Sequence, residues 1–291
     1  MLGLVQYHLT NSNALHNLRD NMERRTISRK LRISGIGLHG GRPSSVILQP
    51  GREGIIFRRF EIQIPARLDH VVDTTLNTTL GSAGARISTV EHLMACLYGT
   101  GITDCEIELE GDEVPALDGS ARELVRMIRA SGTRLLEGEI LPFVVPRRIR
   151  LESGTSWIEA SPGSFEVTYE IDFPDASIGY QRYCYRGRDF AAEIAPARTF
   201  GRMQDVEKMR SLGYALGGSL HNAVVVDGHK VLNPEGLRFP EEFVRHKILD
   251  LLGDLWILGR PVEARIHAYK ANHGLHIGLA GKILEAGLMG A

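Results

Sequence analysis

The sequence repeats one short pattern, at residues 90–99 (VEHLMACLYG) and again at residues 244–253 (VRHKILDLLG). Valine, histidine, leucine and glycine stand at the same offsets in both copies. Each copy predicts a helix that presents one imidazole, and Asp250 follows His246 by one helical turn on the same face. His92, His246 and Asp250 together are typical of a catalytic zinc site that keeps one position open for water. The repeat also predicts that the chain consists of two related units.

The composition is that of an ordinary soluble globular protein, since 43% of the 291 residues are hydrophobic and 24% are charged. This length suits one large domain or two domains of ordinary size. The formal net charge of −1 argues against a protein that mainly coats nucleic acid. The three cysteines are too few and too widely spaced for a disulfide framework or a thiolate zinc cluster, so a reducing compartment is expected.

Targeting signals are not evident in the sequence. No apolar run approaches the length of a membrane span. Residues 1–25 lack the continuous apolar core of a secretory signal. We therefore expect a cytoplasmic protein whose residues 1–23 form a flexible N-terminal extension.

Both halves of the sequence run through short strands and helices in a similar order, which predicts an α+β protein. Residues 37–41 predict a hairpin turn with His39 at its rim, and residues 132–146 predict the domain junction, because periodicity is lost there. Strands are predicted at residues 71–79 and 262–269, among others. Helices are predicted at residues 88–97, 120–130, 205–211, 241–258 and 281–289, the fourth being the longest.

The polar residues on the two repeat helices have more than one interpretation. Asp250 and Asp254 interrupt the edge of an apolar stripe, where such residues either bind a ligand or simply face solvent. Ser88 and Glu91 have the spacing of a capping box, so Glu91 could only cap its own helix. If His92 binds a metal, however, the adjacent Glu91 is placed to take a proton from metal-bound water.

The remaining candidates carry weaker signals. His273 follows a predicted strand in a glycine-bounded turn, where an ordinary loop histidine is the simpler interpretation. Thr199 and Phe200 have no catalytic signature of their own. The glycine-rich residues 37–41 do not form a phosphate-binding Walker loop, because the Gly-Lys-Ser/Thr ending is missing.

Several separated motifs occur in one order along the chain: 35–39 (GIGLH), 88–93 (STVEHL), 118–120 (DGS), 197–201 (ARTFG), 217–219 (GGS), 238–239 (RF) and 243–250 (FVRHKILD). Together they resemble the UDP-3-O-acyl-N-acetylglucosamine deacetylases, the zinc amidases of lipid A biosynthesis in Gram-negative bacteria. The resemblance spans nearly the whole chain from residue 24. It departs from the pattern in residues 274–277, which follow the family only loosely.

The resemblance implies two similar domains, each a layer of strands packed on helices, with the active site in the cleft between them. The implied boundaries are residues 24–138 for the first domain and 139–291 for the second. An insert near residues 195–218 is implied to form an apolar passage for the fatty acyl chain.

The resemblance also implies a role for each candidate residue. The implied zinc ligands are His92, His246 and Asp250. Glu91 matches the general base, and His273 matches the histidine that acts as general acid or steadies the oxyanion. Asp254 matches the carboxylate that orients this histidine, and Thr199 matches a hydroxyl that helps polarise the amide. The implied substrate-binding residues are Lys247 on the diphosphate side, Phe200 and Asp205 in the insert, and His39 near the passage mouth.

The implied reaction is hydrolysis of the N-acetyl group of an acylated UDP-sugar by a cytoplasmic monomer. Zinc is the implied cofactor, although ferrous iron suits the same ligands. Three alternatives remain open at this stage: a zinc hydrolase that acts on another amide, an inactive sugar-nucleotide-binding relative, and a structural protein whose histidines belong to the core.

Overall fold

A computed structural model describes residues 21–289, which form both strands and helices. The elements of the first half are, in order, β1 (Met22–Ile27), β2 (Leu31–Ile36), β3 (Pro43–Pro50), β4 (Ile55–Arg59), β5 (Ile62–Pro65), β6 (Val71–Asp73), β7 (Thr79–Ser82), β8 (Ala85–Ile87), α1 (Glu91–Gly99), β9 (Cys105–Glu110), α2 (Arg122–Ser131) and β10 (Thr133–Ile140).

The second half begins with a short strand and ends with the last helix. Its elements are, in order, β11 (Phe143–Val144), β12 (Ile149–Ser153), β13 (Ser156–Ser161), β14 (Glu166–Asp172), β15 (Tyr180–Tyr185), α3 (Phe190–Glu193), β16 (Phe200–Arg202), α4 (Met203–Ser211), β17 (Val224–Asp227), β18 (Lys230–Val231), α5 (Glu242–Trp256), β19 (Val262–Glu263), β20 (Arg265–Tyr269) and α6 (His273–Met289). The predicted α+β class is confirmed.

Two five-stranded sheets share one internal arrangement. Their strand orders are β2-β3-β9-β4-β5 and β12-β13-β20-β14-β15. In each sheet the third and fourth strands are parallel, and all other neighbouring strands are antiparallel. Helix α1 precedes β9, and helix α5 precedes β20 with only the short β19 between them. The repeat seen in the sequence is therefore a repeat of the fold, while the domain boundary at 138/139 stays a prediction.

The two repeat helices, α1 and α5, pack against each other inside one apolar cluster that takes side chains from both sheets. The predicted apolar stripe of α5 is at most 5% exposed and consists of Val244, Ile248, Leu251, Leu252 and Leu255. Burial of such a stripe is the main source of helix stability in a globular protein. It also places the polar residues His246 and Asp250 of α5 beside His92 of α1.

Gly253 marks the closest approach of α5 to α1. A Cβ atom built on Gly253 would lie 2.0 Å from the backbone oxygen of Glu91. The matching glycine of the first repeat, Gly99, faces the Phe190 ring, which a Cβ atom would meet at 2.0 Å. The glycines at equivalent offsets are therefore required by packing.

We expect the substitution Gly253→Ala to destabilise the protein. The added methyl group meets backbone atoms that cannot move without separating the two helices, and overpacking of this kind costs about 1–3 kcal/mol. Thermal or urea unfolding measures the change. Gly281→Ala is the matched control, because a Cβ atom at this helical position meets nothing within 4 Å. Alanine there is expected to raise stability by up to about 1 kcal/mol. A Gly253→Ala protein as stable as the unsubstituted one would contradict the close crossing.

The predicted start of the first repeat helix is wrong. Helix α1 begins at Glu91 and not at residue 88, and it has no side-chain cap. Ser88 instead pairs with the segment around Glu113, because its N–H donates to Asp112 O and its carbonyl accepts from Val114 N. This backbone pairing satisfies Ser88, so the capping box does not form and the Glu91 carboxylate is left for another partner.

The last helix also differs from its prediction. Helix α6 begins at His273 instead of near residue 281, and its 17 residues make it longer than α5 with 15. Gly274 and Gly278 lower helix propensity and hide the helix in the sequence. Burial of Leu279 and Ile283 outweighs that cost. His273 is thus the first residue of a helix and does not lie in a loop.

Other differences concern strands. Residues 133–140, within the predicted junction, form β10 and pair with β1. The predicted strand 71–79 is interrupted between β6 and β7, and the predicted strand 262–269 is interrupted at Ala264. Residues 1–20 of the predicted N-terminal extension lie outside the described residues. Within the described range, no helix is long and apolar enough to span a membrane.

A β-α-β unit lies between the two repeat helices in sequence. Strands β16 and β17 are parallel neighbours, and α4 connects them together with a following loop. The unit therefore runs from Phe200 to Asp227, beyond the end that we predict for the insert at residue 218.

Candidate active site

The α1–α5 crossing brings His92, His246 and Asp250 together. Asp250 Oδ1 lies 3.3 Å from His246 Nε2 and 3.6 Å from His92 Nε2. One potential ligand atom from each of the three residues lies within 4.8 Å of the others, and all three side chains are buried. His92 belongs to the first unit, while the other two belong to the second. The site is therefore assembled by packing of the two repeat helices.

The protonation states of His246 and Asp250 suit a bound divalent cation. His246 Nδ1 donates to the carbonyl of Ala197 at 3.1 Å, which leaves the Nε2 lone pair facing Asp250. Burial lowers the pKa of His246 to about 3, so the imidazole is neutral. Burial acts to raise the pKa of Asp250, but its neighbours, among them the Lys247 ammonium 2.7 Å away, hold it well below its usual range. The carboxylate is therefore ionised.

A buried oxygen in the cluster has no partner. Asp250 Oδ2 accepts a hydrogen bond from Lys247 Nζ at 2.7 Å. Asp250 Oδ1 is buried and has no hydrogen-bond partner among the residues that the structure describes. An unpaired buried carboxylate oxygen is costly unless a ligand satisfies it. Two imidazoles and a carboxylate that converge in this way fit zinc or ferrous iron.

Glu91 lies directly before His92, at the first position of α1. It is 3% exposed, and its Oε2 accepts a hydrogen bond from the backbone N–H of Thr78 at 3.0 Å. Burial raises the pKa of the Glu91 carboxyl above its ordinary value. A carboxylate whose pKa is moved toward neutrality is suited to accept and return a proton.

His273 lies beside Asp254, which is fully buried. His273 Nδ1 donates to Asp254 Oδ2 at 2.8 Å, so Nε2 is the ring nitrogen left to face a substrate. Burial acts to lower the pKa of His273, but the Asp254 carboxylate raises it to about 9. His273 is therefore an imidazolium at neutral pH. Burial acts to raise the pKa of Asp254, yet His273 keeps it below its usual range.

The other predicted residues lie around these two groups. Thr199 is fixed by backbone hydrogen bonds to Gly119 O at 2.7 Å and from Val224 N at 2.8 Å. The Phe200 ring packs edge-on against Phe243, with centroids 5.0 Å apart. Asp205 accepts from Arg202 Nη1 at 3.2 Å, and His39 packs edge-on against Tyr214 at 5.5 Å.

One cavity of about 590 Å³ connects these groups. Every predicted site residue lines it except Asp254, which lies behind His273. Apolar side chains of the β-α-β unit and its neighbours line the same cavity, among them Val206, Met209, Leu220, Val225 and Leu232. The cavity therefore joins a polar, metal-competent centre to an apolar compartment, which suits an amphiphilic ligand.

Comparison with known proteins agrees with this architecture. Residues 24–285 match the model of the family described as UDP-3-O-acyl N-acetylglycosamine deacetylase. The chain belongs to this family. A relative from Anaeromyxobacter dehalogenans, named UDP-3-O-acyl-N-acetylglucosamine deacetylase, is 43% identical over 267 residues, which cover 89% of this chain and 87% of that protein.

Further deacetylase relatives show similar levels of identity. The protein of the same name from Myxococcus xanthus is 44% identical over 270 residues, 90% of this chain and 86% of its own length. The one from Campylobacter hominis is 39% identical over 262 residues, 88% of this chain and 89% of its own length. The match thus covers both repeat units and the β-α-β unit.

Two residues near the centre of this deacetylase-family site are missed by the sequence interpretation. Thr78 contacts both Glu91 and Asp254, but its threonine-rich surroundings indicate only a strand. His276 Nδ1 lies 2.8 Å from Asp254 Oδ2. It follows His273 by three residues, a spacing that becomes informative only once α6 is known to begin at His273.

Proposed function

We propose that this chain hydrolyses the N-acetyl group of UDP-3-O-(3-hydroxyacyl)-N-acetylglucosamine. The products are acetate and UDP-3-O-acyl-glucosamine, in the committed step of lipid A biosynthesis. The observation that carries the proposal is that a His/His/Asp cluster, a buried carboxylate and a buried imidazolium adjoin an apolar compartment within one cavity. Membership of the deacetylase family supports the same reaction.

His92, His246 and Asp250 would hold the metal ion, which we propose to be zinc. Zinc bound by this set would lower the pKa of a water molecule and polarise the acetamide carbonyl. The neutral His246 imidazole and the unpaired Asp250 oxygen support this assignment, and ferrous iron is the alternative ion.

Glu91 and His273 handle the protons of the reaction. Glu91 accepts a proton as water adds to the carbonyl carbon, and the charge that develops on the carbonyl oxygen is stabilised by the His273 imidazolium. The C–N bond then breaks, and the amine nitrogen takes a proton from His273 or from the protonated Glu91. Asp254 holds the His273 ring in position through Nδ1.

The remaining cavity residues bind the substrate in this proposal. The Thr199 hydroxyl helps to polarise the amide, and Lys247 lies on the side of the diphosphate. Phe200, Asp205 and His39 contact the sugar and the start of the acyl chain. The β-α-β unit receives the acyl chain, because its apolar side chains line the same cavity.

The broader assignments stay predictions. We propose two domains, residues 24–138 and 139–291. The change of partner lies close to this boundary, because β10, which ends at Ile140, pairs with β1 of the first half, whereas β11, which begins at Phe143, pairs with β19 of the second half. Cytoplasmic location and a monomeric state are proposed as well.

Acetate release from UDP-3-O-(3-hydroxyacyl)-N-acetylglucosamine by the purified chain tests the function. We expect turnover to fall by at least about 100-fold on chelation and to return with Zn²⁺. Mg²⁺ is the control and is not expected to restore turnover, because imidazole ligands suit zinc better than magnesium.

Three other results of the chelation experiment would change the proposal. Restoration by Fe²⁺ alone would replace zinc by iron in the proposal. Bound zinc without acetate release would indicate another amide substrate or an inactive relative. Turnover that survives complete chelation would refute the metal site.

A further inference from the structure

The Asp254 carboxylate is held by more donors than the orientation of one histidine requires. Its Oδ1 accepts from Thr78 Oγ1 at 2.5 Å. Its Oδ2 accepts from Nδ1 of His273 and from Nδ1 of His276, each at 2.8 Å. Of these three donors, only His273 lines the cavity. Thr78 and His276 therefore contact the carboxylate from behind the site.

Thr78 contacts both halves of the proposed proton machinery. Its backbone N–H donates to Glu91 Oε2 at 3.0 Å, while its hydroxyl donates to Asp254. Its carbonyl accepts from Val90 N at 3.2 Å, which fixes its backbone to the residue before α1. Thr78 is fully buried. A displacement of this one residue would move the base and the support of the imidazolium together.

His276 is itself held from the far side. A carboxylate only accepts hydrogen bonds, so Nδ1 of His276 carries a proton. Its Nε2 lies 3.0 Å from the Tyr169 hydroxyl, which also contacts Ala271 O at 2.8 Å. The two rings pack edge-on with centroids 5.9 Å apart, and His276 is fully buried. This packing leaves the ring little freedom to leave Asp254.

We propose that Thr78 and His276 are positioning residues that lock the Asp254 carboxylate and, through it, aim His273 at the reacting amide. Because both carboxylate oxygens have fixed donors, the group cannot rotate about its terminal torsion without losing hydrogen bonds. Buried hydrogen bonds to a charged group are stronger than those between neutral groups. A misplacement of about 1 Å in such a group costs on the order of 100-fold in rate. The role in turnover rests on the proposed deacetylase function.

Thr78→Val tests the first positioning residue, with Thr78→Ser as the matched variant. Valine keeps the shape and the backbone N–H, so the Glu91 bond is retained, while the hydroxyl bond to Asp254 and the 3.4 Å contact between the hydroxyl and His273 Nδ1 are lost. We expect kcat to fall by about 10-fold or more with KM within about 2-fold, and serine to restore kcat to within about 3-fold. Equal kcat in Thr78→Val and the unsubstituted enzyme, or equal losses in the two variants, would overturn the assignment.

His276→Leu and His276→Asn form the second matched pair. The asparagine amide places an N–H close to the position of Nδ1, whereas leucine removes the donor and keeps an apolar side chain. We expect the kcat of His276→Leu to fall by about 10-fold or more and His276→Asn to retain most of it. A loss in both variants that follows a lower unfolding midpoint would mean that His276 is only structural.

Nitrogen-15 NMR of the histidine side chains tests the lock without substrate. We expect two strongly deshielded Nδ1–H protons, from His273 and His276, and a shift of the His273 signal in both Thr78→Val and His276→Leu. An unchanged His273 signal in both variants would refute the lock. A chain that shows these shifts but releases no acetate would refute the proposed function and leave the lock standing.

Discussion

Glu91→Gln is expected to lower kcat by about 100- to 10,000-fold, because glutamine cannot accept the proton that general-base catalysis transfers. The amide has the same shape as the carboxyl group, and its oxygen can still accept from Thr78 N, so the fold should be retained. Acetate release under saturating substrate measures the change. Glu91→Ala is expected to lose at least as much.

The metal content of Glu91→Gln is the necessary control. The glutamine neighbours His92 but is not one of the three candidate ligands, so the variant should bind the same amount of zinc. Burial raises the pKa of Glu91, so the base is lost as pH falls through that raised value. Turnover of the unsubstituted chain should therefore decline on the acidic side. Near-normal turnover by a zinc-loaded variant would rule out Glu91 as the base.

His273→Gln is expected to lower kcat by about 100-fold or more, since the positive charge that faces the developing oxyanion is removed. Burial acts to lower the pKa of His273, but Asp254 raises it to about 9. The protonated, active form is thus present below that pKa and is lost as pH rises through it. A metal ion bound nearby would lower the pKa of His273. The decline of kcat on the basic side of the pH profile should therefore lie at or below about pH 9.

The pH profile separates His273 from a purely structural role. The residual kcat of His273→Gln should no longer fall as pH rises. Its zinc content and its unfolding midpoint should stay near normal. Asp254→Asn is the matched variant, because it keeps the shape but removes the charge that raises the His273 pKa. We expect its basic limb to move to lower pH. A His273→Gln enzyme with the same basic limb would assign that limb to another group.

The sequence contains enough to predict the candidate metal-binding cluster, because His92 and His246 stand at equivalent positions of the sequence repeat. Helical spacing then adds Asp250 to the same face. The structure places all three side chains together, since the two repeat helices cross at Gly253. What spacing could not decide is whether the helices meet, because that depends on long-range packing.

Glu91 shows why local rules fail near the site. The capping-box pattern is present, but Ser88 satisfies its backbone by pairing with residues near Glu113. The pairing partner lies far along the chain, so no local window contains the information. The Glu91 carboxylate instead accepts a hydrogen bond from the backbone N–H of Thr78. Competition between local and long-range hydrogen bonds thus decides the position of the proposed base.

The start of α6 is a second case in which packing outweighs propensity. Gly274 and Gly278 favour a loop, yet Leu279 and Ile283 are buried and hold the segment in a helix. His273 and His276 share a face only because of that helix. Helix propensity alone therefore does not predict that His273 and His276 lie together beside Asp254.

Because the candidate site is assembled from two similar halves, activity depends on the contact between them. His92 stands on α1 and His246 on α5, so an opening that parts these helices disables the centre while each sheet remains intact. Such partial openings cost less free energy than global unfolding. A loss of turnover during heating or denaturation should therefore precede the loss of secondary structure. A substitution that loosens the crossing at Gly253 would therefore abolish activity without unfolding the protein.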